Sequence, residues 1–417
     1  MQKSLTSLII TILMPSFAFA ATLHVPGDYH TIQEAINASV NGDTIVIAAG
    51  TYYEHSINPG GKAIQISGEV DANGMPATAI DAQGQGSVVR CTNNETSNTM
   101  ISDLVLSHGN PGQFGGFGGG GAEMFGASPT FKNCTFAYNE ATQGNEGGGA
   151  FCFNASNPRF ENCRFIENHS DGFGGGLSCS YYSTATLIDC VFTGNSGCYG
   201  GAVAVYECDM TIIGCKFVQN SSDGYFCGSS DGGAIYNYEG NISISDCEFR
   251  ENSASGQGGA IYGNPVASSS ISGSFFCENE PADIFGPWTN GGGNDFNPIC
   301  PIMDSDDDGV DDAVDNCELF NPEQLDCNTN GIGDVCDIED GTSQDLDGNG
   351  IPDECECITD ITDGTTPGNP DGLTDVNDVL ALIGQWDETE SFADINNDGI
   401  VNVNDMLILL DGWGDCL

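Results

Sequence analysis

The C-terminal part of the chain places oxygen-bearing side chains at a spacing that suits one chemistry, the coordination of a hard divalent cation. Asp304, Asp306, Asp308, Asp312 and Asp315 are arranged around Gly309. Asp326, Asn328, Asn330, Asp334 and Asp337 stand the same way around Gly331, and Asp345, Asp347, Asn349, Asp353 and Glu356 around Gly350. Asp394, Asn396, Asp398, Asn402 and Asp405 repeat the pattern around Gly399. Each set fills loop positions 1, 3, 5, 9 and 12, with glycine at 6. A calcium ion needs that arrangement to gather about six to eight oxygens around a sharp turn. Ca2+ is therefore the expected cofactor.

Charge supports the same expectation. The chain has 417 residues and a formal net charge of −52. More than half of its 60 acidic residues lie beyond residue 300, and no Lys or Arg follows Arg250. Carboxylates at that density repel one another unless cations neutralise them. Nucleic acid is excluded as a partner, because no basic patch exists to meet phosphates.

A second group of candidates lies upstream. Tyr181, Tyr206 and Tyr238 each follow the second glycine of a Gly pair by five residues, so they are expected to stack on successive turns of a repeat. A flat aromatic row suits sugar rings, with the hydroxyl free to bond; the alternative is that the rings face inward or stack only for stability. Glu123, Asp171, Asp223 and Asp231 are the acids that could serve a glycosidase, which needs two carboxyls at a defined separation. No Ser-His-Asp or zinc spacing is present, His24, His30, His55, His108 and His169 are scattered, and no catalytic residue is assigned.

The elements that must position these groups are short. Phe136, Phe165, Phe192, Phe217, Phe249 and Phe276 recur every 25–32 residues, each followed three residues later by Asn. Gly148-Gly149, Gly175-Gly176, Gly200-Gly201, Gly232-Gly233 and Gly258-Gly259 punctuate the runs. That period with short alternating runs predicts a solenoid. The fold expected is mainly β, a right-handed parallel β-helix solenoid, followed by a C-terminal calcium-loop region and a small EF-hand-like α module. Neighbouring rungs about 4.8 Å apart stack equivalent side chains. Cys134, Cys163, Cys190, Cys215 and Cys247 then form a buried file that Leu104 continues upstream, and the Phe file faces the same way. The Asn file is expected to bond the backbone of adjacent turns at a corner. Thr31–Ile36 predicts a short capping helix, and Gly42–Ile47 and Ala63–Ile66 predict first strands. Cys152 with Cys179, and Cys198 with Cys227, are candidate bridges between rungs.

Residues 1–20 read as a signal peptide, with Lys3, an apolar core from Leu8 to Met14 and Ala18-Phe19-Ala20 as the cleavage site. No later run approaches the roughly 20 apolar residues of a membrane span. Nineteen cysteines fit an oxidising compartment. A secreted or surface location is expected.

The Phe-x-x-Asn and Gly-Gly-Ala-Ile repeats, most literally Gly232 to Ile235 and Gly258 to Ile261, resemble those of polymorphic outer-membrane proteins, which are surface β-helix adhesins. Thr31–Tyr52 is similar to the start of pectin-lyase-like β-helix proteins, pectin methylesterases among them. Residues 300–356 resemble thrombospondin type 3 calcium repeats, through Asp315-Asn316-Cys317, Asn321-Pro322-Glu323-Gln324 and Gly333-Asp334-Val335-Cys336-Asp337. That resemblance implies a Cys317–Cys336 bridge, with Cys355 and Cys357 available for others. Residues 357–417 resemble a type I dockerin, because Asp375 to Trp386 matches Asn402 to Trp413 at a constant offset of 27. In its first loop Asp371, Asp375 and Asp378 fit, Pro367 occupies position 1, and Asp363 is the candidate ligand across an insertion. Leu380, Leu382, Leu407, Leu409, Trp386 and Trp413 are expected to pack the two helices together, with Cys357 and Cys416 clasping the ends.

The domain reading is a signal peptide at 1–20, a parallel β-helix at 21–299, thrombospondin-like repeats at 300–356 and a dockerin-like module at 357–417. The function these imply is extracellular adhesion, or binding of a polysaccharide or cell-envelope component, with a protein partner for the dockerin-like tail. The alternative is a polysaccharide-degrading β-helix enzyme, a lyase or glycoside hydrolase, carrying that tail.

Overall fold

The computed structural model describes residues 20–71, 73–114, 118–222 and 230–300 of the coil. Within the tail it describes residues 310, 314–317, 319, 321, 324–327, 330–345, 351–352, 361, 373–374, 376–386, 388–389, 391, 393–395, 399–411 and 414–415. The expected signal peptide lies outside these residues. So do Asp223, Cys227, Cys355, Cys357, Trp413 and Cys416.

Residues 22–297 wind into a parallel β-helix with four walls. The first wall has eleven strands, from Thr22–Val25 to Thr289–Gly292, and the second has ten, from Gly50–Tyr52 to Asp295–Asn297. A narrow third wall has five, and a fourth has eight between Val89–Cys91 and Ile284–Phe285. Thr184–Ile188, Val191–Thr193, Ser196–Tyr199 and Val203–Tyr206 make one turn through all four. Every pair of neighbouring strands between Ala150 and Cys277 is parallel, and equivalent residues face each other, as Phe165 faces Phe192 and Val203 faces Ile235.

The chain turns this tightly because the corner residues adopt left-handed backbone. Asp103, Asn133, Asn162, Asp189 and Asp246 have φ of +49° to +58°, and each precedes the turn into the second wall. Asp and Asn tolerate that region better than most side chains. A further corner falls at Gly147, Gly174, Gly200, Gly232 and Gly258, with φ of +63° to +71°. In the rung at 174–176 the aligned glycine is therefore Gly174, one residue ahead of the pair counted from sequence. The rung begins with three glycines in a row, and strand pairing decides which one takes the corner.

The core is stacked in files. Phe136, Phe165, Phe192, Phe217, Phe249 and Phe276 lie with ring centroids 4.4–5.0 Å apart and planes within 9° of parallel. Phe131 and Phe160 add a second short stack at 5.2 Å. Burying each ring contributes about 1.5–3 kcal/mol. Cys134, Cys163, Cys190, Cys215 and Cys247 are buried as free thiols. Cys152 and Cys179 face each other in register but are also free and buried, so the bridge expected between them is not formed. They fill inward positions of the fourth wall as small apolar groups.

The Asn file forms a continuous ladder. Each Asn from Asn139 to Asn252 donates from Nδ2 to the Oδ1 of the next, at 2.9–3.0 Å. Each also donates to a backbone carbonyl of the preceding turn, as Asn195 does to Phe165 O at 2.7 Å.

Helix α1 (Ile32–Ala38) covers the N-terminal end of the coil. Thr31 Oγ1 caps it by accepting from the Glu34 amide at 3.2 Å, and Ile32, Ala35 and Ile36 are buried. At the other end Cys277 is bonded to Cys300. In the tail, α2 spans Asp334–Asp340, α3 Val376–Gly384 and α4 Val403–Asp411. Leu382 and Leu409 are fully buried between α3 and α4, whereas Leu380 and Leu407 are each 61% exposed. The expectation that all four leucines pack the helices together fails for these two. With 3.6 residues per turn, positions two apart point to different sides of a helix.

Candidate functional site

The outer face of the fourth wall carries an aromatic shelf. Its strands alternate, so that Val203, Val205, Ile235 and Asn237 point inward while Tyr206, Tyr236 and Tyr238 point outward. One outward column holds Phe151, Tyr236, Tyr262 and Phe285, and the next holds Phe125, Phe153, Tyr206 and Tyr238. Tyr206 and Tyr238 stack with centroids 4.8 Å apart at 7°, Tyr236 and Tyr262 at 5.2 Å and 4°, and Phe125 and Phe153 at 5.5 Å. Phe173 and Tyr199, from the third wall, join the shelf against Tyr236. These aromatics beyond Tyr206 and Tyr238 were not singled out from sequence. The signal was present in the second and fourth residues of each run after the glycine corner.

Tyr181 sits differently from the other two tyrosines. Ser180 pairs with Tyr206, so Tyr181 falls one residue past the column. It has φ +52°, is 46% exposed, and meets Tyr206 at 5.9 Å and 41°. The displacement has the same origin as the glycine offset in that rung.

At the rung where both columns carry serine, a carboxyl takes the place of the rings. Glu146 accepts from Ser178 Oγ at 2.9 Å and Ser180 Oγ at 3.0 Å, both on its Oε2. Burial pushes its pKa up, against the lowering effect of the two hydroxyls. Burial also raises Tyr206, Tyr236 and Tyr262, with nearby Glu207 acting on the first and Asp231 on the other two. Their hydroxyls therefore stay protonated and can donate. Arg90 donates to Glu123 Oε2 at 2.6 Å at the far end of the same face. Glu123 and Asp171 lie within strands rather than in loops, and Asp171 stands 3.3 Å from His169 Nε2.

The loop residues of the tail are placed in part. Asp326 accepts the amides of Asn330 and Gly331, the Asn330 side chain donates to both oxygens of Asp337, and Asp334 accepts the amide of Cys327. Burial pushes Asp326 up to about 6, and Asp337 and Asp334 add to the rise. Asp394 accepts the Gly399 amide at 2.8 Å, and Gly331 and Gly399 have φ of +84° and +93°. Asp337, Asp378 and Asp405 are fully buried, and Asn402, Asp315 and Asp345 are half-buried. Asp304, Asp306, Asp308, Asp312, Asn328, Asp347, Asn349, Asp353, Glu356, Asp363, Asp371, Asp375, Asn396 and Asp398 lie outside the described residues. The donors that are described in the 326–337 loop, three carboxylates and an amide, fit a calcium ion by their chemistry.

This loop rests on the second wall. A Cβ at Gly331 would stand 2.7 Å from Ile166 Cδ1, and burial and Asp326 both raise the pKa of Tyr138. Cys317 and Cys336 are bonded, as the thrombospondin-like pattern implied. Cys198 is disulfide-bonded. Glu251, Glu278 and Cys300 bring ligand atoms within 4.8 Å of one another, but the disulfide to Cys277 leaves no thiolate for a metal. Among the described residues no helix is long and apolar enough to cross a membrane.

Residues 63–235 match the family described as the right handed beta helix region. Residues 246–264 match the Chlamydia polymorphic membrane protein repeat. The parallel sheets of the coil are consistent with a right-handed β-helix. No curated protein matches the chain. Among solved structures it is similar to Geobacillus virus E2 ORF18, at 14% identity and TM-score 0.39, over 66% of this chain. The chain spans 59% of that viral protein's length. Pectin methylesterase PemA from Erwinia chrysanthemi aligns at 12% identity and TM-score 0.32, over 64% of this chain and 81% of its own. The rice weevil pectin methyl esterase aligns at 16% and 0.34, over 66% and 82%.

Proposed function

We propose that this protein is a secreted or cell-surface polysaccharide-binding β-helix, attaching to a glycan or other cell-envelope component through the fourth wall. The observation that carries this reading is the pair of outward aromatic columns, with Tyr206 and Tyr238 stacked at 4.8 Å and Tyr236 and Tyr262 at 5.2 Å. A long, flat, partly exposed aromatic face offers apolar surface to sugar rings and protonated hydroxyls at its edges. The parallel rungs hold these rings rigidly, so little ordering entropy is lost on binding.

The tail serves in this proposal as a calcium-loaded spacer and attachment module, built from thrombospondin-like and dockerin-like repeats, with a protein partner for the latter. Its donor chemistry and the two left-handed glycines at loop position 6 support that role. The disulfides and the polymorphic membrane protein repeat support an exported location, and the proposal takes residues 1–20 as its signal peptide.

The test is retention of the full chain, with calcium, on a panel of insoluble polysaccharides. Retention that disappears in the double variant Tyr206→Ala/Tyr238→Ala supports the reading, and no retention on any member of the panel overturns it. Chain-length analysis of the same mixtures separates binding from degradation, since shortened polysaccharide would make the coil an enzyme.

A further inference from the structure

Both columns of the shelf lack a ring at one rung, where the outward positions are polar, and the first column also lacks one at the next, where Ala204 stands. Between Phe151 and Phe153 on one side and Tyr206 on the other, the outward positions are Ser178 and Ser180. Both hydroxyls are spent on one oxygen of Glu146. Its Oε1 has no hydrogen-bond partner among the described residues. The carboxyl is thus aimed, with one oxygen held and one left over, in the middle of the aromatic face. Burial raises its pKa against the pull of the two hydroxyls, and the oxygen not held by the serines is placed to exchange a hydrogen bond with a sugar hydroxyl.

The cations of the chain tell the same story. There are eight Lys and Arg in all. Lys3 lies outside the described residues. Lys62 donates to the Ile36 and Asn37 carbonyls at the N-terminal cap. Lys132 and Arg159 belong to the first wall, where Arg159 pairs with Glu161. Arg164, Lys216 and Arg250 belong to the second wall, where Arg250 pairs with Glu248. The fourth wall keeps only Arg90 among the described residues, and Arg90 is paired with Glu123. Against this stand Glu146, Asp231, Glu207 and Glu239 on or beside the shelf. A uronate or sulfate group would meet no free cation there, and like charges placed together are costly.

We infer that the shelf selects neutral polysaccharides over acidic ones, and that Glu146 is its specificity-determining residue, accepting or donating a hydrogen bond to a sugar hydroxyl. This rests on the polysaccharide-binding reading above. The rings provide stacking that any pyranose could use, and Glu146 with its two serines fixes where along the wall a hydroxyl must lie.

Affinity electrophoresis of the full chain would use three soluble probes, a mixed-linkage β-glucan, a galactomannan and polygalacturonate, each with calcium and with chelator. The expected result is retardation by at least one neutral glycan and none by polygalacturonate. Glu146→Ala should weaken neutral binding by about tenfold, the loss of one hydrogen bond to a carboxyl, and Ser178→Ala/Ser180→Ala should weaken it in the same direction. Glu146→Gln, which keeps a hydrogen-bonding group of the same shape, should retain most of it. Polygalacturonate bound as well as the neutral glycans, in calcium or without it, would overturn the selectivity and leave polysaccharide binding standing. Neutral binding unchanged in the alanine and double-serine variants would overturn the role of Glu146. Failure to bind any probe would remove the underlying reading as well.

Discussion

Asn195 donates from Nδ2 to the Oδ1 of Asn220 at 2.9 Å, and its backbone amide donates to that same oxygen at 3.1 Å. One side chain in each turn thus closes the corner of the turn before it. The ladder is fully buried from Asn139 to Asn252, so its polar atoms have no water to fall back on.

Replacing Asn195 with Ala should therefore be costly. The Phe165 carbonyl loses the Asn195 donor, the Asn168 amide loses its acceptor, and Asn168 Nδ2 is left with the Phe136 carbonyl alone. Each buried orphan costs about 1–3 kcal/mol, so the expected loss is about 3 kcal/mol or more. Chemical denaturation of the coil measures it, and a loss below about 1 kcal/mol would mean that water or a neighbour replaces the ladder.

The thiol file should be silent toward reagents. Cys91, Cys134, Cys152, Cys163, Cys179, Cys190, Cys208, Cys215 and Cys247 are all buried and unbridged. A maleimide should leave them unmodified in the folded chain and label them once denaturant opens it. Rapid labelling of the native protein would show that the coil opens locally.

The His108–Asp81 pair should make the coil's stability depend on pH. Asp81 Oδ2 lies 3.3 Å from His108 Nδ1. The bond to Asp81 raises His108 against the effect of burial. Burial would raise Asp81, but the His108 and Gln83 bonds outweigh it and pull it down. The histidine's contribution is complete below its unfolded value, near 6.5, and is lost as pH rises through the raised folded value. The aspartate's contribution is present above its unfolded value, near 3.8, and is lost as pH falls through the lowered one. Asp81→Asn should bring the His108 midpoint down in an NMR titration; an unmoved midpoint would mean the pair is not coupled.

Chelation should act on the tail more than on the coil. Ligand that binds only the folded loops adds about 2.7 kcal/mol per site at a hundredfold excess over its dissociation constant. With chelator, limited proteolysis is expected to cut within residues 301–417 and to spare 21–299. Equal protease resistance with and without calcium would remove the structural role proposed for the ion.

The Phe, Cys and Asn files were legible in the sequence for a physical reason. Parallel rungs stack equivalent residues, so a repeat in the chain becomes a column in space, and Phe165 over Phe192 follows from their spacing alone. The Cys317–Cys336 pairing followed from the resemblance of residues 300–356 to thrombospondin type 3 repeats rather than from stacking. Register was not. Three consecutive glycines at 174–176 allow more than one corner, and hydrogen bonding between strands chose Gly174, which moved Tyr181 out of the column. Cys152 and Cys179 came into register as expected, yet the structure holds them as packed thiols rather than as a bridge. Glu146 precedes its corner glycine just as Asp231 does, so the repeat did not distinguish it, and only its hydrogen bonds to Ser178 and Ser180 in the next rung give its carboxyl a position. The sequence by itself determined what repeats. The tertiary structure decided which face each repeat presents and what lies across it, because those depend on pairing between turns that are distant along the chain.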